Sequence, residues 1–121
     1  MSAQKEPNSQ LNFGWEYGED HWDVGTEENW LRIGRFAFHL SAKSRTVTQP
    51  STLNPANGDT YIVPDNASGV WSSRANNVAV WDSKSNAWVY ATPGVGWVSY
   101  IEDEEVLSAY KSSGWSSGLA I

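Results

Sequence analysis

The chain has 121 residues and no cysteine, a length that fits one domain and excludes disulfides and thiolate metal sites. Hydrophobic residues make up 40% of the chain and charged residues 18%, so burial can offset chain entropy, which excludes intrinsic disorder. The formal net charge is −6 and the eight Lys and Arg are scattered along the chain, so we expect no nucleic-acid partner.

The N-terminal residues 1–12 are predicted to form a flexible arm. Met1 to Gln10 are polar and lack the apolar centre of a signal peptide, and no apolar run in the chain approaches the length of a membrane span. We therefore expect synthesis in the cytoplasm and no membrane insertion.

The segment GWEYGEDHWDVG, residues 14–25, has turn residues every few positions and no sustained period, which predicts an ordered loop. Its aromatic residues Trp15, Tyr17 and Trp22 are costly to leave in water. We expect them to pin the loop to a surface of this chain or of another chain.

A helix is predicted to follow this loop. Thr26 is a suitable N-cap, and Glu27 and Glu28 favour the positive end of the helix dipole. Apolar residues then recur at a three-four spacing and form a stripe that extra apolar residues widen: Trp30, Ile33, Ala37 and Leu40, with Leu31, Phe36 and Phe38. Such a helix is covered on more than one side, either entirely within the chain or partly by a symmetry-related copy. The predicted assembly interface consists of Trp15, Tyr17, Trp22, Trp30, Ile33 and Phe36.

From Arg45 onward, short β-branched and aromatic runs alternate with Gly, Pro, Asn and Ser, which predicts an antiparallel β-meander of about five strands. The predicted strands are Thr60 to Val63, Asn77 to Asp82, Ala87 to Ala91, Trp97 to Ile101 and Val106 to Tyr110. The predicted fold class is therefore α+β, mainly β, with one N-terminal helix packed on the meander. The helix and strands make one domain over residues 13–115, and residues 116–121 form a C-terminal tail.

Counting residues outward from the predicted hairpin turns gives the register of the strands and predicts an aromatic face on this sheet. If the loop from Ser83 to Asn86 closes symmetrically, Trp81 lies opposite Trp88. Continuing through residues 92–96 places Tyr90 beside Val98 and Trp88 beside Tyr100. The predicted binding platform is therefore Trp81, Trp88, Tyr90 and Tyr100, and the opposite face is aliphatic, with Val78, Val80, Val89, Ala91 and Ile101.

Candidate catalytic residues are few. The chain has two histidines, His21 and His39, and neither stands in a nucleophile motif. A metal site built from neighbours on one extended loop is disfavoured because their side chains diverge: Glu19, Asp20, His21 and Asp23. The acids Glu102 to Glu105 are typical of a charged hairpin tip. We expect no catalysis, no metal and no cofactor.

The aromatic content is the strongest indication of function. Eight Trp exceed what a core of this size needs. Trp and Tyr are used where a surface must be flat, apolar and still able to hydrogen-bond, as on sugar rings or at protein interfaces.

The order of motifs resembles an uncharacterised phage-associated domain family of tail, fibre and head-spike proteins. The resemblance covers roughly Asn12 to Trp115 and lies in GWEYGEDHWDVG, SRTVTQPSTLNPANGDTYIVP, GVW, NNVAVWD, AWVYATPGVGWVSYIEDEEVLSAY and GW. It implies a place in the virion, with residues 14–25 next to an attachment region, the β part as a compact knob, and no enzymatic residues. This chain ends soon after Trp115, where such proteins often continue into a receptor-binding portion, so the resemblance favours a decorating or joining role.

The sequence thus predicts a structural virion component that acts in assembly or attachment with other virion proteins, as a homo-oligomer and most simply a trimer. The alternative is a carbohydrate-binding module that stacks host surface polysaccharide on the aromatic platform.

Overall fold

A computed structural model describes residues 4–16, 18, 22–37 and 40–121, with the backbone alone at Trp22 and Ala37. The fold is α+β and mainly β, as the sequence predicts. The chain divides into two compact units, Met1–His39 and Leu40–Ile121, where one domain over residues 13–115 was predicted. No helix among the described residues is long and apolar enough to cross a membrane.

The first unit contains a hairpin and a helix. The hairpin pairs β1 (Gln4–Lys5) with β2 (Asn12–Phe13), and α1 (Trp22–Arg32) continues into a π-helical turn (Ile33–Ala37). The Asn29 side chain accepts a hydrogen bond from the Asn12 backbone N–H at 2.6 Å and donates one to the Asn12 carbonyl at 3.0 Å. Residues 4–13 are therefore a hairpin held on α1, where the sequence predicted a flexible arm.

Helix α1 begins at Trp22, four residues before the predicted cap at Thr26, so the predicted loop is wrong over residues 22–25. Gly25 lies inside the helix, and the Trp15 ring occupies the space that a side chain at Gly25 would need. The aromatic contact across Gly25 outweighs the low helix propensity of glycine, which the local pattern does not reveal.

The second unit contains two sheets. In the three-stranded sheet, β5 (Val78–Asp82) lies between β4 (Thr60–Ile62) and β6 (Ala87–Ala91). The other sheet has the order β10-β8-β7-β3, with β9 also paired to β8, and its strands are β3 (Ser41–Ala42), β7 (Val98–Ile101), β8 (Val106–Lys111), β9 (Gly114–Trp115) and β10 (Leu119–Ala120). Short 3₁₀ turns lie at Pro50–Thr52 and Gly69–Trp71. The five predicted strands are confirmed to within one residue at each end.

The predicted meander is interrupted between β6 and β7. Strand β7 pairs antiparallel with β8 and parallel with β3, and β6 pairs with β5. The predicted pairing of Tyr90 with Val98 and of Trp88 with Tyr100 is therefore wrong. Pro93, which is buried, has no N–H to extend the β6 ladder, and the Gly96 N–H donates to the Tyr110 carbonyl at 2.8 Å, so the chain joins the second sheet.

Side-chain alternation gives the three-stranded sheet two different faces. One face buries aliphatic side chains of Ile62, Val78, Val80 and Ala91, which confirms the predicted aliphatic face except for Ile101 on β7. The other face carries Tyr61, Ala79 and the aromatic residues of β5 and β6. The aromatic face is the part of the fold that holds the candidate site.

The C-terminal residues are ordered against the second sheet. Leu119 and Ala120 pair with Leu107 and Val106 on β8. Arg45 donates hydrogen bonds to the carbonyls of Ser116 and Ser117, at 2.7 and 2.9 Å. The predicted tail thus contains a short edge strand, β10.

Candidate binding groove

A cross-strand tryptophan pair stands at the centre of the candidate site. Trp81 on β5 lies directly opposite Trp88 on β6, as predicted, with ring centroids 5.1 Å apart and planes at 70°. The Asp82 carboxylate accepts hydrogen bonds from the Lys84 backbone N–H and the Ser85 hydroxyl, at 3.2 and 2.9 Å, which shapes the connecting turn. Asn86 closes that turn at φ +54°, a conformation that asparagine tolerates. This local geometry determines the register of the pair.

The floor of the site is aromatic core. Trp88 packs edge-on against Trp71 at 5.1 Å and against Tyr61 at 5.8 Å. Trp71 is fully buried, and its indole N–H has no hydrogen-bond partner in the part of the chain that the structure describes. Because Trp71 supports Trp88 from beneath, the exposed edge of Trp88 is held in one orientation. Sequence analysis did not identify Trp71 as a site residue. The available signal was a single aromatic residue, in GVW, within a segment that otherwise has the composition of a loop, which is typical of a side chain that fixes the loop to the core.

The walls come from the two 3₁₀ turns and the loops that follow them. Together with β5 and β6 they enclose an open groove of about 740 Å³. Its apolar wall residues are Pro50, Leu53, Pro55 and Val70, and its neutral hydrogen-bonding residues are Ser51, Ser73 and Asn86. A second cavity, beside Trp115, measures about 370 Å³. The larger groove is the one that joins the aromatic pair to polar groups.

Tyr90 and Arg74 form one end of the groove. The Tyr90 hydroxyl donates to the Val70 carbonyl at 3.4 Å, and the Arg74 guanidinium carbon lies 4.2 Å from the centre of the Tyr90 ring. Burial raises the pKa of the Tyr90 hydroxyl, and the Arg74 charge acts in the opposite direction. Tyr90 therefore stays a neutral donor near pH 7.

Tyr100 does not belong to this site, which corrects the predicted platform. It lies on β7, opposite Leu107 and next to Ser41, in the other sheet. The platform thus contains Trp81, Trp88 and Tyr90. The reason is the change of sheet at residues 92–96.

Acids and histidines are missing from the described lining of the groove. Among the described residues, no three His, Cys, Asp or Glu side chains come close enough to hold a metal ion. Glu19, Asp20, His21 and His39 lie outside the described residues, and Asp23 is exposed in the first turn of α1. The described groove thus offers stacking surfaces and hydrogen bonds, without an acid or base.

The predicted assembly residues that the structure describes differ in exposure. Trp30 is 67% exposed, whereas Phe36 is buried with the Arg32 guanidinium 5.2 Å from its ring centre. Ile33 is half-buried, and Trp15 packs on Gly25. Tyr17 and the side chain of Trp22 lie outside the described residues. Among the described side chains of α1, the exposed large apolar ones are Trp30, which was predicted, and Val24 and Leu31, which were not in the predicted interface.

The described tryptophan side chains differ widely in burial. Of the tryptophan side chains that the structure describes, Trp71 is fully buried and Trp30 is exposed. The others are half-buried: Trp15, Trp81, Trp88, Trp97 and Trp115. Much indole surface therefore faces solvent in the single chain.

Fold and groove together define a mainly β protein with an open aromatic cleft. The model of one family, described as a protein of unknown function (DUF2793), matches residues 26–116. The chain belongs to that family, and the matched residues include every described residue of the groove lining. Comparison with curated proteins and with solved structures found no match.

Proposed function

We propose that this protein is a structural component of a bacteriophage particle, in a tail, fibre or head spike, and that its Leu40–Ile121 unit binds polysaccharide of the host surface. The observation that carries the binding role is the groove around Trp81, Trp88 and Tyr90. The resemblance of the chain's motif order to a phage-associated domain family supports the place in the virion.

The groove has the properties that sugar binding requires. Aromatic rings that are half-buried present flat apolar faces, and Ser51, Ser73 and Asn86 supply hydrogen bonds around them. Its volume of about 740 Å³ falls within the range of about 300–1,000 Å³ that is usual for ligand sites. Because Trp88 rests on the buried Trp71, the stacking surface is already formed before a ligand arrives, which lowers the entropy lost on binding.

The side chains that line the groove are suited to binding a sugar chain and not to hydrolysing it. Glycoside hydrolysis generally uses two carboxyl groups on either side of the scissile bond. The described groove has hydroxyl, amide, guanidinium and ring groups and no carboxylate. Such groups can retain a sugar chain without cutting it.

A glycan array probed with the labelled protein tests this role, with the substitution Trp81→Ala as the main variant. Trp81 has one ring contact among the described residues, with Trp88, so its removal should leave the fold intact. Loss of one stacking ring should weaken binding about tenfold or more, since removing a ring from the aromatic platforms that stack nucleobases costs about 1–3 kcal/mol and a sugar ring stacks on the same kind of surface. Circular dichroism and thermal unfolding check that the variant is folded.

Val95→Ala is the matched control, because it shortens an exposed apolar side chain in the same unit, outside the groove lining and outside α1. Binding should survive Val95→Ala. If the wild-type protein binds no glycan on an array of bacterial surface polysaccharides, or if both variants weaken binding equally, sugar binding in this groove is wrong.

A role in assembly is the second candidate, favoured by the exposed apolar residues of α1. Val24 and Leu31 are seven residues apart and so lie on one side of the helix, at 62% and 50% exposure. Burying such side chains in a symmetric homo-oligomer would stabilise it by about 1.5–3 kcal/mol per large side chain. We propose a trimer in contact with other virion proteins.

Light scattering after size exclusion tests the assembly role. The wild-type protein should elute with three times the 13.4 kDa mass of one chain, and Trp30→Ala or Leu31→Asp should shift it towards the monomer. Trp81→Ala serves here as the control and should leave the mass unchanged. A wild-type monomer at micromolar concentration, with no partner recovered from the particle, would refute this role.

A further inference from the structure

We propose that the polysaccharide held in the groove is acidic, and that Arg74 binds the carboxylate of a uronic-acid-type sugar residue. This inference rests on the proposed sugar-binding function and specifies the class of its ligand. It arises from the charge distribution in the groove, which differs from that of the protein as a whole.

The protein carries 14 acids against eight Lys and Arg. The described lining of the groove reverses that balance, because Arg74 is its single charged residue. In the described part of the chain, no carboxylate lies within ion-pair distance of the Arg74 guanidinium, whereas Arg45 has Glu104 and Lys43 has Asp59. A lining with one cation and no carboxylate creates a local positive potential that attracts an anionic ligand, although the protein as a whole is acidic.

The orientation of Arg74 suits a carboxylate. The carbon of its planar guanidinium lies over the Tyr90 ring, 4.2 Å from the ring centre, in cation–π contact. The N–H groups point from the edges of that plane, where two of them can bind both oxygens of a carboxylate. The Tyr90 hydroxyl, bonded to the Val70 carbonyl, keeps the ring in place beneath the cation.

The backbone of Arg74 is also held. Its N–H donates to the Trp71 carbonyl at 2.9 Å, and its carbonyl accepts from the Asn77 N–H at 2.9 Å. The residue that carries the cation is therefore anchored to the same tryptophan that supports Trp88. Preorganisation of this kind lowers the entropic cost of forming the ion pair.

The spacing along β6 connects the two kinds of contact. Tyr90 follows Trp88 by two residues on the same face, a rise of about 7 Å along the strand. A sugar ring stacked at Trp88 and Trp81 would thus have a neighbouring residue near Tyr90 and Arg74. The stacking rings recognise the chain, and Arg74 selects those chains that carry an acid.

The test compares acidic bacterial polysaccharides with their carboxyl-reduced forms, which have the same backbone without the charge, and includes neutral polysaccharides. Binding of the full chain is measured by biolayer interferometry at low and at physiological salt. The wild-type protein should bind at least one acidic polymer about tenfold tighter than its reduced form, and salt should weaken that binding. Arg74→Gln should remove the preference while keeping weak binding to the reduced polymer.

Lys84→Gln is the matched control. Lys84 is an exposed cation in the turn between β5 and β6 and is not part of the lining, so its loss changes the net charge equally. In Lys84→Gln, the ratio of affinities for the acidic and the carboxyl-reduced polymer should stay within about twofold of the wild-type ratio. Arg74→Lys should retain only part of the preference, because an ammonium group cannot pair with both oxygens in the same plane.

The outcomes separate this inference from the function on which it rests. Equal binding of acidic and reduced polymers, or equal losses in Arg74→Gln and Lys84→Gln, would overturn the role of Arg74 while leaving sugar binding in place. Absence of binding to every polymer, acidic, reduced and neutral, would overturn the sugar-binding function itself and this inference with it.

Discussion

The guanidinium of Arg45 and the carboxylate of Glu104 form a bidentate pair, with Arg45 Nε and Nη2 at 2.9 and 2.8 Å from the two carboxylate oxygens. The remaining hydrogen bonds of Arg45 reach the Ser108 hydroxyl and the carbonyls of Ser116 and Ser117. One side chain thereby joins the segment after β3, the β7–β8 turn, strand β8 and the approach to β10.

Replacing Arg45 by Met should destabilise the protein by about 2 kcal/mol. The loss is smaller than for a fully buried pair because the two side chains remain 17% and 33% exposed. Arg45→Lys should cost about 1 kcal/mol, since lysine keeps the charge and loses the bidentate geometry. Urea unfolding measures both effects.

Lys43→Met is the control for this pair, because Lys43 lies 3.8 Å from Asp59 and is 48% exposed. Its cost should stay below about 0.5 kcal/mol. Equal costs for Arg45→Met and Lys43→Met would contradict the role assigned to Arg45.

The same pair predicts a loss of stability in acid. The hydrogen bond from Arg45 lowers the pKa of Glu104 below its ordinary value of 4.5, so the folded state favours the ionised carboxylate. The resulting stabilisation is present above pH 4.5 and disappears as the pH falls through the folded-state pKa. The free energy of unfolding of the wild type should therefore fall more steeply below pH 4.5 than that of Glu104→Gln. Parallel curves for the two proteins would show that Glu104 does not contribute this dependence.

Gly118→Ala should detach strand β10. Gly118 has φ +101°, and a Cβ there would lie 2.6 Å from Val106 Cγ2 and 3.2 Å from the Leu107 carbonyl oxygen. Gly96→Ala is the control, since Gly96 has a similar φ of +98° with open space around it, so that it measures backbone strain alone, about 1–2 kcal/mol. Hydrogen exchange at the Ile121 amide, which donates to the Glu105 carbonyl, should accelerate in Gly118→Ala and not in Gly96→Ala. Unchanged protection of Ile121 in both variants would argue against the close packing at Gly118.

Asn29→Ala should loosen the N-terminal hairpin on α1, where the Arg32 side chain still donates to the Ser9 carbonyl. The Asn29 amide makes three hydrogen bonds with Asn12, at 2.6, 2.9 and 3.0 Å, and each contributes about 1 kcal/mol. Proteolysis and hydrogen exchange over residues 4–13 should rise, while the Leu40–Ile121 unit keeps its protection. Asn8→Ala is the control. Within the described residues, the Asn8 side-chain amide donates one hydrogen bond, to the Glu6 carboxylate at 3.5 Å, and none to α1. Equal exchange in the two variants would show that the hairpin is held by other contacts.

Local pattern alone determined much of the β part of this protein. The alternation of residues 78–91 and the length of the Ser83–Asn86 turn predicted the pairing of Trp81 with Trp88, because both depend on neighbours within about ten residues. The same pattern separated the aliphatic face, with Val78 and Val80, from the aromatic face.

Only the tertiary structure decided where distant segments meet. Ser41 pairs in parallel with Tyr100, which lies about half the chain length away in sequence, and this pairing belongs to the sheet that takes Tyr100 away from the platform. Arg74 and the 3₁₀ turns reach the groove from loops whose sequences show no period, and the Trp15 ring packs against Gly25 inside α1. Such long-range contacts form when the free energy gained by burying both segments exceeds the entropic cost of closing the loop between them. Neither quantity can be calculated from the local sequence of one segment alone.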